Sequence, residues 1–127
     1  MDSAGKLVLI GYWDGPETDH SWPSPEELID QSWDPEEREL VATYLTAGMV
    51  SMGCMGFSRC RLCNRQNGNL ELSDGEFVWP DGLAHYVREH SVRLPERFVT
   101  HAVAMTDRFE SADRDLDWWR SFRKSGA

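Results

Sequence analysis

The chain has 127 residues, 13 Lys plus Arg against 22 Asp plus Glu, and a formal net charge of -9. A hydrophobic fraction of 40% with 11% aromatics excludes a disordered chain, and the length suits one domain with a modest core. No apolar run approaches the ~20 residues that span a bilayer, and no export signal opens the chain, so a cytoplasmic protein is expected.

In chain order, Lys6 to Trp13 is a short apolar, β-branched run closed by Asp14-Gly15-Pro16, which predicts a buried strand. Residues 14–24 hold turn formers without periodicity and form a loop containing Trp22. Two helix starts follow. Ser24-Pro25-Glu26-Glu27 offers an N-cap hydroxyl, Pro at the first helical position and a Glu that can close a capping box; Asp34-Pro35-Glu36-Glu37 repeats the scheme. The second start leads into a longer helix with Leu40, Val41, Tyr44 and Leu45 at helical spacing and Gly48 as its stop. Met49 to Phe57 reads as a strand made irregular by Gly53 and Gly56. Asn69–Ser73 and Glu76–Trp79 alternate around Asp74-Gly75, a hairpin signal. Asp81 is the expected N-cap of a short helix over Leu83–His90. Pro95 opens another, with Phe98, Ala102, Met105 and Phe109 as its apolar stripe. The last segment, 111–127, is charged but carries Leu116, Trp118, Trp119 and Phe122. It predicts an amphipathic helix docked on the body, residues 1–110, or on a partner.

The acidity is uneven. Residues 1–53 carry eleven acids against Lys6 and Arg38, whereas 85–127 carry eight bases against seven acids. A negative lobe repels nucleic acid and anionic lipid and attracts basic partners, although several of these acids also serve as helix caps. Glu17, Asp19, Trp22, Glu26, Glu27 and Trp33, in or beside acidic, Pro-containing loops, are the candidate partner-binding residues, Trp being enriched at interface hot spots.

The chemistry is concentrated in Cys60-Arg-Leu-Cys63, followed by the hairpin and a helix with His85 and His90: C-x2-C-x21-H-x4-H. Two thiolates two residues apart chelate one metal from a tight turn, and two imidazoles complete a tetrahedral N/S shell that favours Zn²⁺. Asn64 tolerates the left-handed backbone such a knuckle needs. At 100° per residue, His85 and His90 stand about 140° apart on an ideal helix, so sharing a metal requires the helix to end or distort. Cys54 and His101 are reserve ligands. The order knuckle, hairpin, helix resembles treble-clef and Cys2His2 zinc fingers over residues 54–92, with a longer Cys-to-His spacer than the ordinary finger. The strings G-F-S-R-C-R-L-C, S-D-G-E-F-V-W-P-D-G-L-A-H-Y and H-S-V-R-L-P-E-R-F resemble a motif set of small uncharacterised bacterial proteins, which implies a Cys/His site and no particular activity.

Four protein ligands leave no position for a catalytic water. The string His85-Tyr-Val-Arg-Glu89-His90 is neither H-E-x-x-H nor H-x-x-E-H, and the deaminase order of ligands is absent. No catalytic residue is assigned. The expectation is an α+β protein with a small antiparallel sheet and a zinc knuckle–hairpin–helix unit packed by N- and C-terminal helices. Its expected role is a non-enzymatic, zinc-stabilised interaction module with an acidic surface, of the inhibitor or immunity-protein type, for a basic protein partner. The alternatives are an enzyme using zinc or Cys54, and a finger that binds nucleic acid through Arg59, Arg61 and Arg65 against the opposing bulk charge.

Overall fold

Asp74 and Gly75 organise the centre of the sheet. The Asp74 carboxylate accepts the backbone N–H groups of Glu76 and Phe77 at 2.9 and 2.8 Å, and Gly75 takes a φ of 96°, closing the turn between β3 (Leu70–Ser73) and β4 (Phe77–Pro80). These strands pair antiparallel, with Leu72 opposite Trp79. β2 (Met49–Gly53) pairs antiparallel with β3, its register shifting between Val50 and Met52, at Ser51 instead of at Gly53, and β1 (Val8–Leu9) lies parallel to β4. The strand order is β1-β4-β3-β2. This computed structural model describes residues 5–14, 21–53 and 58–124.

The fold is α+β, with four α-helices among the described residues beside a mixed sheet. The sheet is not wholly antiparallel, because β1 fills the free edge of β4 in the same direction, through bonds from Val8 N–H to Glu76 O and from Ile10 N–H to Val78 O. Nor is β1 a buried strand. It sits at an edge, where alternation sends Val8 and Ile10 onto the core and leaves Leu7 and Leu9 exposed.

Ser24 begins a 3-10 turn, Pro25–Leu28, where a short helix was expected; Glu27 accepts the Ser24 N–H, the glutamate half of a capping box, and the Ser24 hydroxyl donates to the same carboxylate. The carboxylate of Asp34 caps α1 (Pro35–Thr46) by accepting the Glu37 N–H at 2.9 Å. α2 (Leu83–His90) starts from Gly82 rather than Asp81. The Asp81 N–H still donates to Leu70 O at 2.9 Å, which keeps its backbone in the hairpin, and its carboxylate lies against Gly68 instead of over the first turn of α2. α3 spans Glu96–Ser111 and α4 spans Asp117–Lys124.

Val41, Ala42 and Leu45 of α1, Leu83 and Val87 of α2, Phe98 and Ala102 of α3, and Phe77 and Trp79 of β4 share one core with Trp33. Phe98 makes edge contacts with Phe77 at 5.1 Å and with Trp79 at 5.8 Å, while the buried Trp79 N–H donates to Leu45 O. Of the predicted α3 stripe, Phe98 and Ala102 are buried, Met105 is half-buried and Phe109 is exposed. Among the described residues, no helix is long and apolar enough to cross a membrane.

Candidate metal centre

The Cys60–Cys63 turn is closed by its own backbone. Asn64 N–H donates to Cys60 O at 2.8 Å, Cys60 N–H donates to Arg65 O at 2.9 Å, and Asn64 adopts a φ of 62°. Leu62 N–H points at Cys60 Sγ from 3.4 Å, a donor that stabilises a thiolate. The turn is fastened to the start of α2. Asn67 donates its side-chain amide to Gly82 O at 3.1 Å, and a Cβ on Gly82 would stand 2.2 Å from the Asn67 carbonyl oxygen, so only glycine permits this approach. From the other side, the Tyr86 hydroxyl accepts the Arg61 N–H at 2.8 Å. Burial pushes that hydroxyl's pKa up to about 12, so it stays protonated at neutral pH.

These fastenings bring the thiols of Cys60 and Cys63 and a nitrogen from each of His85 and His90 within 4.8 Å of one another, close enough to hold a metal ion. Cys63 Sγ and His85 Nε2 are 3.3 Å apart, and the two imidazole centroids 5.0 Å apart. With metal–sulfur and metal–nitrogen bonds of about 2.3 and 2.0–2.1 Å, a tetrahedral site has donor–donor edges of roughly 3.3–3.8 Å, so a small contraction of this cluster reaches it. The strongest sign of fit is His90. Its Nε2 is buried without a hydrogen-bond partner, a costly state for a polar atom unless a ligand satisfies it. His85 is held below its ordinary pKa by burial and by the neighbouring His90, which favours the neutral imidazole a metal requires.

The angular conflict between the two histidines is resolved at the end of α2. Ser91 N–H and Val92 N–H both donate to Tyr86 O, five and six residues back, and Ser91 turns left-handed with a φ of 55°. This π-type widening of the last turn reduces the rotation per residue and swings His90 toward His85. The helix is not broken between them.

Cys54, Glu17 and Asp19 lie outside the described residues. His101 stands apart from the metal cluster, at a junction that spacing did not reveal. Its Nε2 is 2.8 Å from Asp74 Oδ2, which also accepts the Tyr44 hydroxyl at 2.6 Å. Burial works to raise the Asp74 pKa, but donors from Tyr44, Phe77, Glu76 and His101 outweigh it and hold it low. Asp74 thereby ties the hairpin turn to α1 and α3. Its role was hidden because its partners are 27 and 30 residues away in sequence.

Trp33, expected on the partner surface, is only 2% exposed; its indole N–H donates to Glu37 at 2.7 Å and its ring lies under Arg93. Its loop-like neighbours are the cap of α1, which turns the chain into the core at that point. Trp22 is half-buried against Tyr12, and Glu26 and Glu27 are exposed. Of the arginines near the knuckle, Arg59 donates to Asn64 O and Arg61 to Asp14 O, so both brace loops. In comparisons with known proteins, no family model, no curated protein and no solved structure matches the chain.

Proposed function

We propose that Cys60, Cys63, His85 and His90 hold one Zn²⁺ and that the protein is a zinc-stabilised, non-enzymatic interaction module of the cytoplasm. The observation that carries this reading is the convergence of two thiols and two imidazoles with His90 Nε2 buried and unpartnered. Four protein donors fill a tetrahedral shell, so the ion contributes folding free energy rather than an activated water. Free thiols as ligands suit a reducing compartment. The acidic N-terminal half, with Glu17, Asp19, Glu26, Glu27 and the half-buried Trp22, is the surface proposed to engage a basic protein, in the manner of an inhibitor or immunity protein.

Elemental analysis and Co²⁺ substitution test the centre. One tightly held metal per chain with tetrahedral S2N2 bands is expected. A three-ligand site with exchangeable water would favour a catalytic metal instead. Neutralising Glu17, Asp19, Glu26 and Glu27 should abolish retention on a basic protein partner, and unchanged retention would remove the acidic surface from the proposal.

A further inference from the structure

Between α1 and the C-terminal half of α3 runs a groove of about 690 Å³. Leu40, Met49, Met105 and Phe109 give it an apolar lining, and Glu36 and Glu110 stand on it with no basic partner among the described residues. Methionines make such a surface adaptable to ring-shaped side chains.

The chain also carries the complement of this groove. α4 exposes Trp118 and Trp119, 67% and 66% accessible, with Phe122 stacked on Trp119 at 5.4 Å, and it bears Arg120 and Arg123. In this structure α4 does not cover its own groove. Arg114 donates to Phe109 O and Ala112 O, and Asp115 accepts the N–H of Asp117, so the connection over 112–116 forms a fastened elbow.

We propose that this groove receives α4 of a second copy of the chain, in a reciprocal exchange of C-terminal helices. Charge and area both favour that occupant. The acidic groove meets a basic helix, with Glu36 and Glu110 opposite arginines of the other copy. A fully buried aromatic covers about 150–250 Å², so two indoles still two-thirds exposed have roughly 100–170 Å² each left to bury. Two such helices and the two grooves they cover then bury about 800–1,400 Å², a range that spans the ~1,000 Å² expected of a specific interface. Reciprocal exchange through a fastened elbow also closes a two-fold dimer, in which each helix and each groove is used once. The metal centre takes no part in this contact, so zinc content and dimerisation are independent readouts.

The test is sedimentation equilibrium of the full, zinc-loaded chain over a range of concentrations. A reversible monomer–dimer equilibrium is expected. The triple variant Trp118→Ser, Trp119→Ser, Phe122→Ser and the groove variant Glu36→Lys, Glu110→Lys should each weaken it at least about tenfold. Circular dichroism melting confirms that each variant is folded. An equal mixture of the two should associate more strongly than either alone, because one intact helix then meets one intact groove. A wild-type monomer at every concentration overturns the proposal: blue-shifted tryptophan emission would then mean docking in cis, and solvent-exposed emission a foreign partner. Dimers that survive both sets of substitutions would place the interface elsewhere, as on the exposed edge strand β2.

Discussion

His90 is the residue whose environment is least explicable without a ligand, since its Nε2 is buried and unpartnered. His90→Ala should therefore weaken Co²⁺ or Zn²⁺ binding by more than about 100-fold, beyond the 10–100-fold typical of outer-sphere partners, as measured by chelator competition. His101→Ala provides the contrast. It should leave metal affinity intact and cost about 1–3 kcal/mol in urea unfolding, because it strips a donor from the half-buried Asp74. Asp30 sets a pH dependence. Hydrogen bonds from the Ser32 hydroxyl and then from Arg93 lower its pKa from 3.8 to about 2. Its stabilising contribution is therefore complete above pH 3.8 and disappears as pH falls through about 2. Urea midpoints of Asp30→Asn should lie below wild type at neutral pH and converge with it at the acid end of that window. That Cys60, Cys63, His85 and His90 come together was legible in the C-x2-C and H-x4-H pattern, although the roughly 140° between the histidines on an ideal helix left their convergence to a distortion of α2. The burial of Trp33 was not, because the Pro and Asp beside it are equally at home in a helix cap and in a loop.

At the scale of elements, local chemistry determined most starts and stops, and tertiary contacts decided the exceptions. Asp34 caps α1 as its sequence announces, so Asp34→Ala should cost about 1 kcal/mol, within the 0.5–2 usual for such caps, measurable as a shift in urea midpoint. Asp81 looked like an equally good cap, but its backbone pairs with Leu70, 11 residues away, and its carboxylate lies against Gly68, contacts that no local signal encodes. The widened end of α2 was similarly out of reach: Ser91 is not a residue one would choose for a positive φ, and the His85–His90 interval only says that some distortion must occur. Gly82 joins the knuckle to α2, with Asn67 O only 2.2 Å from where a Cβ would sit. Gly82→Ala should destabilise by about 1–3 kcal/mol through overpacking. It should also weaken metal binding although no ligand is touched, which Co²⁺ titration of the folded variant would detect. Unchanged affinity would mean that the knuckle and α2 keep their register without this contact.

For the whole molecule, composition indicated an acidic lobe but not where its charges meet apolar surface, since the groove draws on α1, β2 and α3 together. The same long-range packing determines what metal loss does. Cys60 is 2% exposed and belongs to the same core as Trp13, Tyr86 and Val87, and α2 packs on α1, so the centre is continuous with the body of the protein. A ligand that binds only the folded state raises stability by mass action, and for a chain of this length one kcal/mol corresponds to roughly 3–6 °C. Treatment with a strong chelator should therefore lower the melting temperature by at least about 10 °C, reversibly on adding Zn²⁺. Far-ultraviolet circular dichroism and tryptophan fluorescence should shift together, because Trp79 and Trp33 report the core that α2 helps to close. The opposite result is equally readable. If chelation speeds amide exchange only around residues 58–68 and leaves the main transition in place, the ion fastens a surface loop, and the core formed by α1, α3 and the sheet stands without it.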